Sequence, residues 1–117
     1  MSDQRKREFR DYINDIIEAP HNIQEFVRDL DYDHFFHDKK TTYAVVRGLE
    51  IIGEASKNIP MDIKEKYSDI PWMEITGMRD KIAHEYFGVD LKIVWQTVQE
   101  DLPIYEKAIK KIKKDLF

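Results

Sequence analysis

Apolar side chains return at intervals of three and four residues through most of this chain, and no stretch alternates strictly with period two. In the first quarter Phe9, Ile13, Ile16, Ile17, Ile23, Phe26, Val27 and Leu30 keep that spacing on both sides of Pro20. A spacing near 3.6 lines such residues along one face of a helix, whereas a half-buried strand needs alternation. With only four glycines and four prolines to interrupt it, the chain reads as helical throughout. An interior proline removes one backbone hydrogen bond without ending an apolar stripe, so the spacing predicts one long helix bent at Pro20 or two nearly in line.

The remaining elements follow from their punctuation. "DYDHFFHDKK" connects to a second helix from about Asp38 to Asn58, stopped by Pro60, with Phe35 and Phe36 expected to plug the end of the core. "MDIKEKYSDIP" reads as a short helix and a turn. Pro71 then suits the first position of a third long helix, which Gly88 would stop. Asp90 is placed to cap a last helix that carries Ile93, Val94, Val98, Ile104, Tyr105, Ala108, Ile109, Ile112 and Leu116, interrupted by Pro103. The expected architecture is all-α: a single domain over residues 1–117, an up-down bundle of four main helices plus a short connecting helix.

Composition narrows the function. The 117 residues, 42% of them hydrophobic, can bury one core. The absence of cysteine excludes disulfides, a thiolate nucleophile and a cysteine zinc site. The start of the sequence is charged and carries no apolar run, and no run reaches membrane length, so a cytoplasmic location and no membrane partner are expected. A net charge of −4 argues against holding nucleic acid by bulk electrostatics. The basic runs "RKREFR" and "KAIKKIKK" lie in helical stretches, where such runs ordinarily form a solvated face.

In the second helix Tyr43, Arg47, Glu50, Glu54 and Lys57 share one polar stripe, opposite Val45, Leu49, Ile52, Ser56 and Ile59. Glu50 and Glu54 are like charges one turn apart and call for a cation, either Arg47 or Arg79. Gly48 and Gly53 each cost about 1 kcal/mol against alanine inside a helix, which points to close packing beside this stripe.

The stretch "GMRDKIAHEYFGVD", residues 77–90, holds the candidate chemistry. On a continuous helix Ile75, Met78, Ile82 and Tyr86 share the core-facing sector, with Arg79 at its edge. His84 then falls in line with Gly77 and Asp80, about 140° from Arg79 and roughly 9 Å away between Cα atoms. Geometry leaves two readings open. Arg79 and His84 could share a ligand, or His84 could answer the helix dipole while Arg79 snorkels and Tyr86 packs in the core.

Arg79-x4-His84-x-Tyr86 resembles the RX4HXY motif of HepT toxins, helical ribonucleases of the HEPN superfamily that are found with MNT-type nucleotidyltransferase antitoxins. The likeness extends to "RGLEIIGEASKNIP" and to "IPWMEITGMRDKIAHEYFGVDLKIVWQTVQEDLP", more than half of the chain. The resemblance implies a homodimer with Arg79 and His84 lining a cleft near its interface. It also implies metal-independent RNA cleavage without a cofactor, in which the ribose 2′-hydroxyl attacks the adjacent phosphate and leaves a 2′,3′-cyclic phosphate. The unperturbed pKa of histidine lies near neutrality, so His84 can take or give a proton, and Arg79 can steady the phosphorane oxygens. Asp80 would orient the imidazole, and Arg47 and Glu54 would support the site. Tyr86 matches the tyrosine on which the partner enzyme places AMP to silence the toxin.

Two other readings compete. The same dimer could be a non-catalytic module that binds a nucleotide or docks its partner, with Arg79 as phosphate clamp and His84 structural. Alternatively Asp33, His34, His37 and Asp38 could hold a metal, although no third or fourth ligand is assured by the spacing and "HEYFG" is not H-E-x-x-H.

Overall fold

A computed structural model describes residues 3–78, 80, 83–84 and 88–117, with side chains for 8–78, 80 and 89–117. The chain opens with α1, Asp3–Val27, a single helix that carries Pro20 inside it. A short α2, Tyr32–His37, follows, and then α3, Lys39–Lys57. The connection expected around residues 31–40 is therefore itself a helical turn. Two aspartates make it so: Asp31 caps α2 by accepting from the His34 N–H, and Asp38 caps α3 by accepting from the Thr41 N–H. Phe35 is fully buried as expected, but Phe36 is half exposed and does not plug the core.

After α3 come α4, Met61–Lys66, and α5, Trp72–Thr76, with Pro71 at the N-cap rather than at the first helical position. The last helix runs as α6, Leu91–Gln96, a π-helical turn over Thr97–Asp101, and α7, Leu102–Leu116. Asp90 caps α6 by accepting from the N–H groups of Lys92 and Ile93. Pro103 does not break this helix. Its ring would clash with the carbonyl of Gln99, four residues earlier, and the wider π turn sits where that clash would fall.

The core lies where α1 packs on α3 and α7. Ile13, Ile16 and Ile23 of α1, Val45, Leu49 and Ile52 of α3, and Leu102, Ile109 and Ile112 of α7 are all at most 1% exposed. The polar and apolar stripes of α3 fall as their spacing predicts, with Ser56 buried and its hydroxyl donating to the Ile52 carbonyl. Gly48 is needed because a Cβ there would stand 2.7 Å from Ile23 Cδ1. Gly53 faces the other way, where its Cβ would stand 3.4 Å from the Thr76 carbonyl oxygen at the end of α5.

A larger expectation also fails. The helix predicted to run from Pro71 to Gly88 does not do so. Gly77 closes α5, Met78 and Asp80 keep helical backbone, and Ala83–His84 (β1) pairs antiparallel with Gly88–Val89 (β2). Gly88 is thus a strand residue registered opposite His84, not a helix stop. The architecture is all-α apart from this two-residue pairing among the described residues.

Candidate functional site

The pairing replaces the helical-wheel geometry of the motif. His84 sits in extended backbone opposite a residue that has no side chain, so the 140° angle and 9 Å separation derived for a continuous helix do not apply. Nor does Asp80, which is exposed, stand one helical turn before His84. Arg79 and Tyr86 lie outside the described residues, as does Ile82. Met78 and Ile75, the described members of the expected core sector, are both buried.

What the structure does fix is where the motif begins and ends. On the N-terminal side α5 is held by three contacts. Tyr105 of α7 donates from its hydroxyl to Glu74 Oε2 at 2.9 Å, the Trp72 indole N–H donates to the Tyr67 carbonyl at 3.1 Å, and Gly53 lets α3 approach the Ile75 and Thr76 carbonyls. Burial and the carboxylates of Glu74 and Asp101 keep the Tyr105 phenol protonated far above its ordinary range, so it serves only as a donor here. On the C-terminal side Val89 and Leu91 form one wall of a groove of about 660 Å³ whose other wall is α2 and α3. Residues 47–54 of α3 therefore stand beside both ends of the motif, Gly53 at its entry and Arg47 with Glu50 at its exit.

Arg47 is the cation that the two glutamates call for. Its Nη1 lies 3.5 Å from Glu50 Oε2 and 3.8 Å from Glu54 Oε1. These separations are long for charge-assisted hydrogen bonds, which close to about 2.7–2.9 Å. The guanidinium is loosely held, with its side chain 60% exposed.

The groove wall itself was only partly visible in the sequence. Tyr43, on the polar stripe, is 76% exposed, while Phe36, which the sequence pattern puts at the end of the core, is 48% exposed. Phe36 is kept in place by ring contacts to Tyr32 at 6.0 Å and His37 at 5.1 Å, and Trp95 of α6 stacks against Tyr32 and Phe35 beneath. This aromatic cluster ties α2 to the start of the last helix and so fixes β2 relative to α3.

The metal reading gains nothing from the geometry. His34 Nδ1 is 2.7 Å from Asp31 Oδ1, and His37 Nδ1 is 2.9 Å from the Asp33 carbonyl. Among the described residues no three or more His, Asp or Glu side chains are grouped so as to hold a metal ion. No helix among them is long and apolar enough to cross a membrane.

Comparison with known proteins was informative in sequence. Residues 16–112, which include the whole motif, match the family model described as Ribonuclease HepT-like. The chain is 51% identical to the "Probable ribonuclease HepT" of Thermococcus cleftensis over 93% of this chain and 99% of that protein. It is 48% identical to a "Putative RNase" of Methanocaldococcus jannaschii, over 95% of this chain and 96% of the relative. It is also 46% identical to a "Putative RNase" of Caldanaerobacter subterraneus, over 88% and 92%. No solved structure matches the chain. With a family model covering most of its length and relatives of equal size near half identity, the chain belongs to the Ribonuclease HepT-like family of the HEPN superfamily, a family of RNA-cleaving enzymes.

Proposed function

We propose that this chain is the toxin subunit of a toxin–antitoxin pair, a metal-independent endoribonuclease that works as a homodimer and is silenced by AMP transfer. The observation that carries this reading is the family match across residues 16–112, within which Arg79, His84 and Tyr86 stand at the spacing of the family's motif. In the reaction a base removes the proton of a ribose 2′-hydroxyl, whose oxygen forms a bond to the adjacent phosphorus. The bond from phosphorus to the 5′ oxygen breaks, and an acid returns a proton to that leaving oxygen. His84 serves as one of these groups, and a second His84 from the other copy of the chain serves as the other, which is why a homodimer suits the chemistry. Such proton transfer contributes roughly 10²- to 10⁴-fold. Arg79 offers a planar, permanently charged fork to the phosphorane oxygens as negative charge builds. Arg47 and Glu54 form the supporting wall on α3, and Asp80 acts as an exposed carboxylate near the entry of the motif.

Control comes from an MNT-type nucleotidyltransferase antitoxin. The Tyr86 hydroxyl attacks the α-phosphorus of a nucleoside triphosphate, pyrophosphate leaves, and the AMP that remains neutralises Arg79 and fills the cleft. The localisation that follows is cytoplasmic, with RNA as substrate. The deciding experiment is cleavage of RNA by the purified chain, with the ends of the products identified. Cleavage that leaves 2′,3′-cyclic phosphate and disappears in His84→Ala with unchanged circular dichroism is expected. Binding without cleavage would replace the enzyme by a non-catalytic nucleotide-binding module.

A further inference from the structure

The groove between α3 and β2 is built from two exposed aromatic rings and two cations at the end of the motif. Phe36 and Tyr43 present their rings to it, Lys39 and Arg47 their charges, and Val89 and Leu91 its apolar floor. Exposed aromatics are costly to leave in water, and these two border a cavity of about 660 Å³ rather than standing singly on the surface. Tyr43 and Arg47 are one helical turn apart, with Cβ atoms about 5–6 Å from each other, so both side chains rise from the same wall. Lys39 and Arg47 line the groove with Glu50, and Glu54 also lies 3.8 Å from Arg47, so the two cations are balanced by two carboxylates and it is the exposed rings that mark the groove for a base. Val89, at its edge, is next in the strand to Gly88, which is registered opposite His84.

We infer that this groove is a subsite for single-stranded RNA, in which a base stacks on Tyr43 and Phe36 and its phosphate lies against Arg47 and Lys39, directing the strand toward His84. The inference rests on the ribonuclease reading for the identity of its occupant. Stacking is sequence-tolerant because every base has a π face, and the phosphates add the salt-dependent part. One engaged phosphate predicts a shallow salt dependence, a slope of log affinity against log salt of about −0.7. A general polyanion site would be steeper. Chemistry would then fall at the phosphate a fixed distance from the stacked base, so the groove sets where the strand is cut.

The test uses the intact chain and a labelled single-stranded RNA of mixed sequence with 2′-O-methyl riboses, which cannot undergo attack by the 2′ oxygen. Binding is followed by fluorescence anisotropy, cleavage of unmodified RNA is measured in parallel, and mass is followed by sedimentation. Tyr43 is so exposed that Tyr43→Ala keeps the fold. It is expected to weaken binding about ten-fold or more, while Tyr43→Phe retains it and Phe36→Ala repeats the loss. Wild-type protein that fails to bind the probe, or Tyr43→Ala that binds as wild type does, overturns the subsite. A changed mass of Tyr43→Ala with unchanged binding overturns it in favour of an interface between copies of the chain. If the probe binds and Tyr43→Ala loses it, yet no RNA is ever cleaved, the subsite stands and the ribonuclease reading falls. If RNA is cut but neither binding nor KM responds to Tyr43, the reverse holds.

Discussion

Two glycines on one helix separate the effect of helix propensity from that of packing. Replacing either Gly48 or Gly53 by alanine should gain about 1 kcal/mol, because α3 no longer orders a residue without a side chain. At Gly53 the new Cβ meets the Thr76 oxygen at 3.4 Å and the Ile75 oxygen at 3.6 Å, which is ordinary contact. Gly53→Ala should therefore keep nearly all of the gain, a rise in Tm of roughly 3–5 °C for a domain of this size. At Gly48 the Cβ meets Ile23 Cδ1 at 2.7 Å and Cγ1 at 2.8 Å. Ile23 is fully buried, and its branched χ1 leaves little room to turn away, so overpacking should cost about 1–3 kcal/mol. The net for Gly48→Ala is then a loss of about 0–2 kcal/mol, and the two variants should differ by about 1–3 kcal/mol. Urea unfolding followed by circular dichroism measures both. Ile23→Ala removes both crowding carbons, so the double variant with Gly48→Ala should show a favourable coupling of about 1–2 kcal/mol. Equal shifts for the two glycines, or strict additivity in the cycle, would refute the claim that close approach to α1 is what Gly48 is for.

Other outcomes follow from the site and its surroundings. Arg79→Ala should abolish RNA cleavage and move Tm by no more than about two degrees, since its role lies with the phosphorane; a large fall in Tm would make it structural instead. Tyr86→Phe should still cleave RNA but escape silencing when co-expressed with an active nucleotidyltransferase, and AMP found on the variant by intact mass would show that Tyr86 is not the acceptor. The hydrogen bond to Asp31 raises the His34 pKa above 6.5, and bonds to His34 lower that of Asp31 below 3.8. The His34 contribution is complete below 6.5 and is lost as pH rises through its raised pKa. The Asp31 contribution is complete above 3.8 and is lost as pH falls through its lowered pKa. Asp31→Asn keeps an N-cap acceptor on α2 but removes the charge, so an NMR titration should find the His34 pKa lowered toward its ordinary value.

Helix periodicity made most of the fold legible. It located the burial of Val45, Leu49, Ile52, Ser56 and Ile59 residue by residue, and a polar side chain before an apolar run gave Asp90 as a cap. It failed at residues 83–89 because an apolar set at 75, 78, 82 and 86 fits a helix as a pattern whether or not the backbone continues, and Gly88 reads equally as a C-cap and as a strand residue. The groove was hidden for a different reason. Phe36 follows Phe35 in sequence, and only the tertiary fold decides which of the two is buried. Tyr43 and Arg47 were visible on the polar stripe, but nothing local says that Val89, more than forty residues later, closes a cavity against them.

Anchoring at both ends explains why the pairing of residues 83–84 with 88–89 can replace the expected helix without disturbing the bundle. A helix carrying the motif would have had to bury its own stripe through residue 86 to be held in place. Here the entry is fixed by the Tyr105–Glu74 bond, the Trp72 indole and the Gly53 approach, and the exit by the Asp90 cap and the aromatic cluster beneath α6. None of these contacts uses Arg79, His84 or Tyr86. The described fold is thereby anchored on both sides of the motif by contacts from α3, α6 and α7.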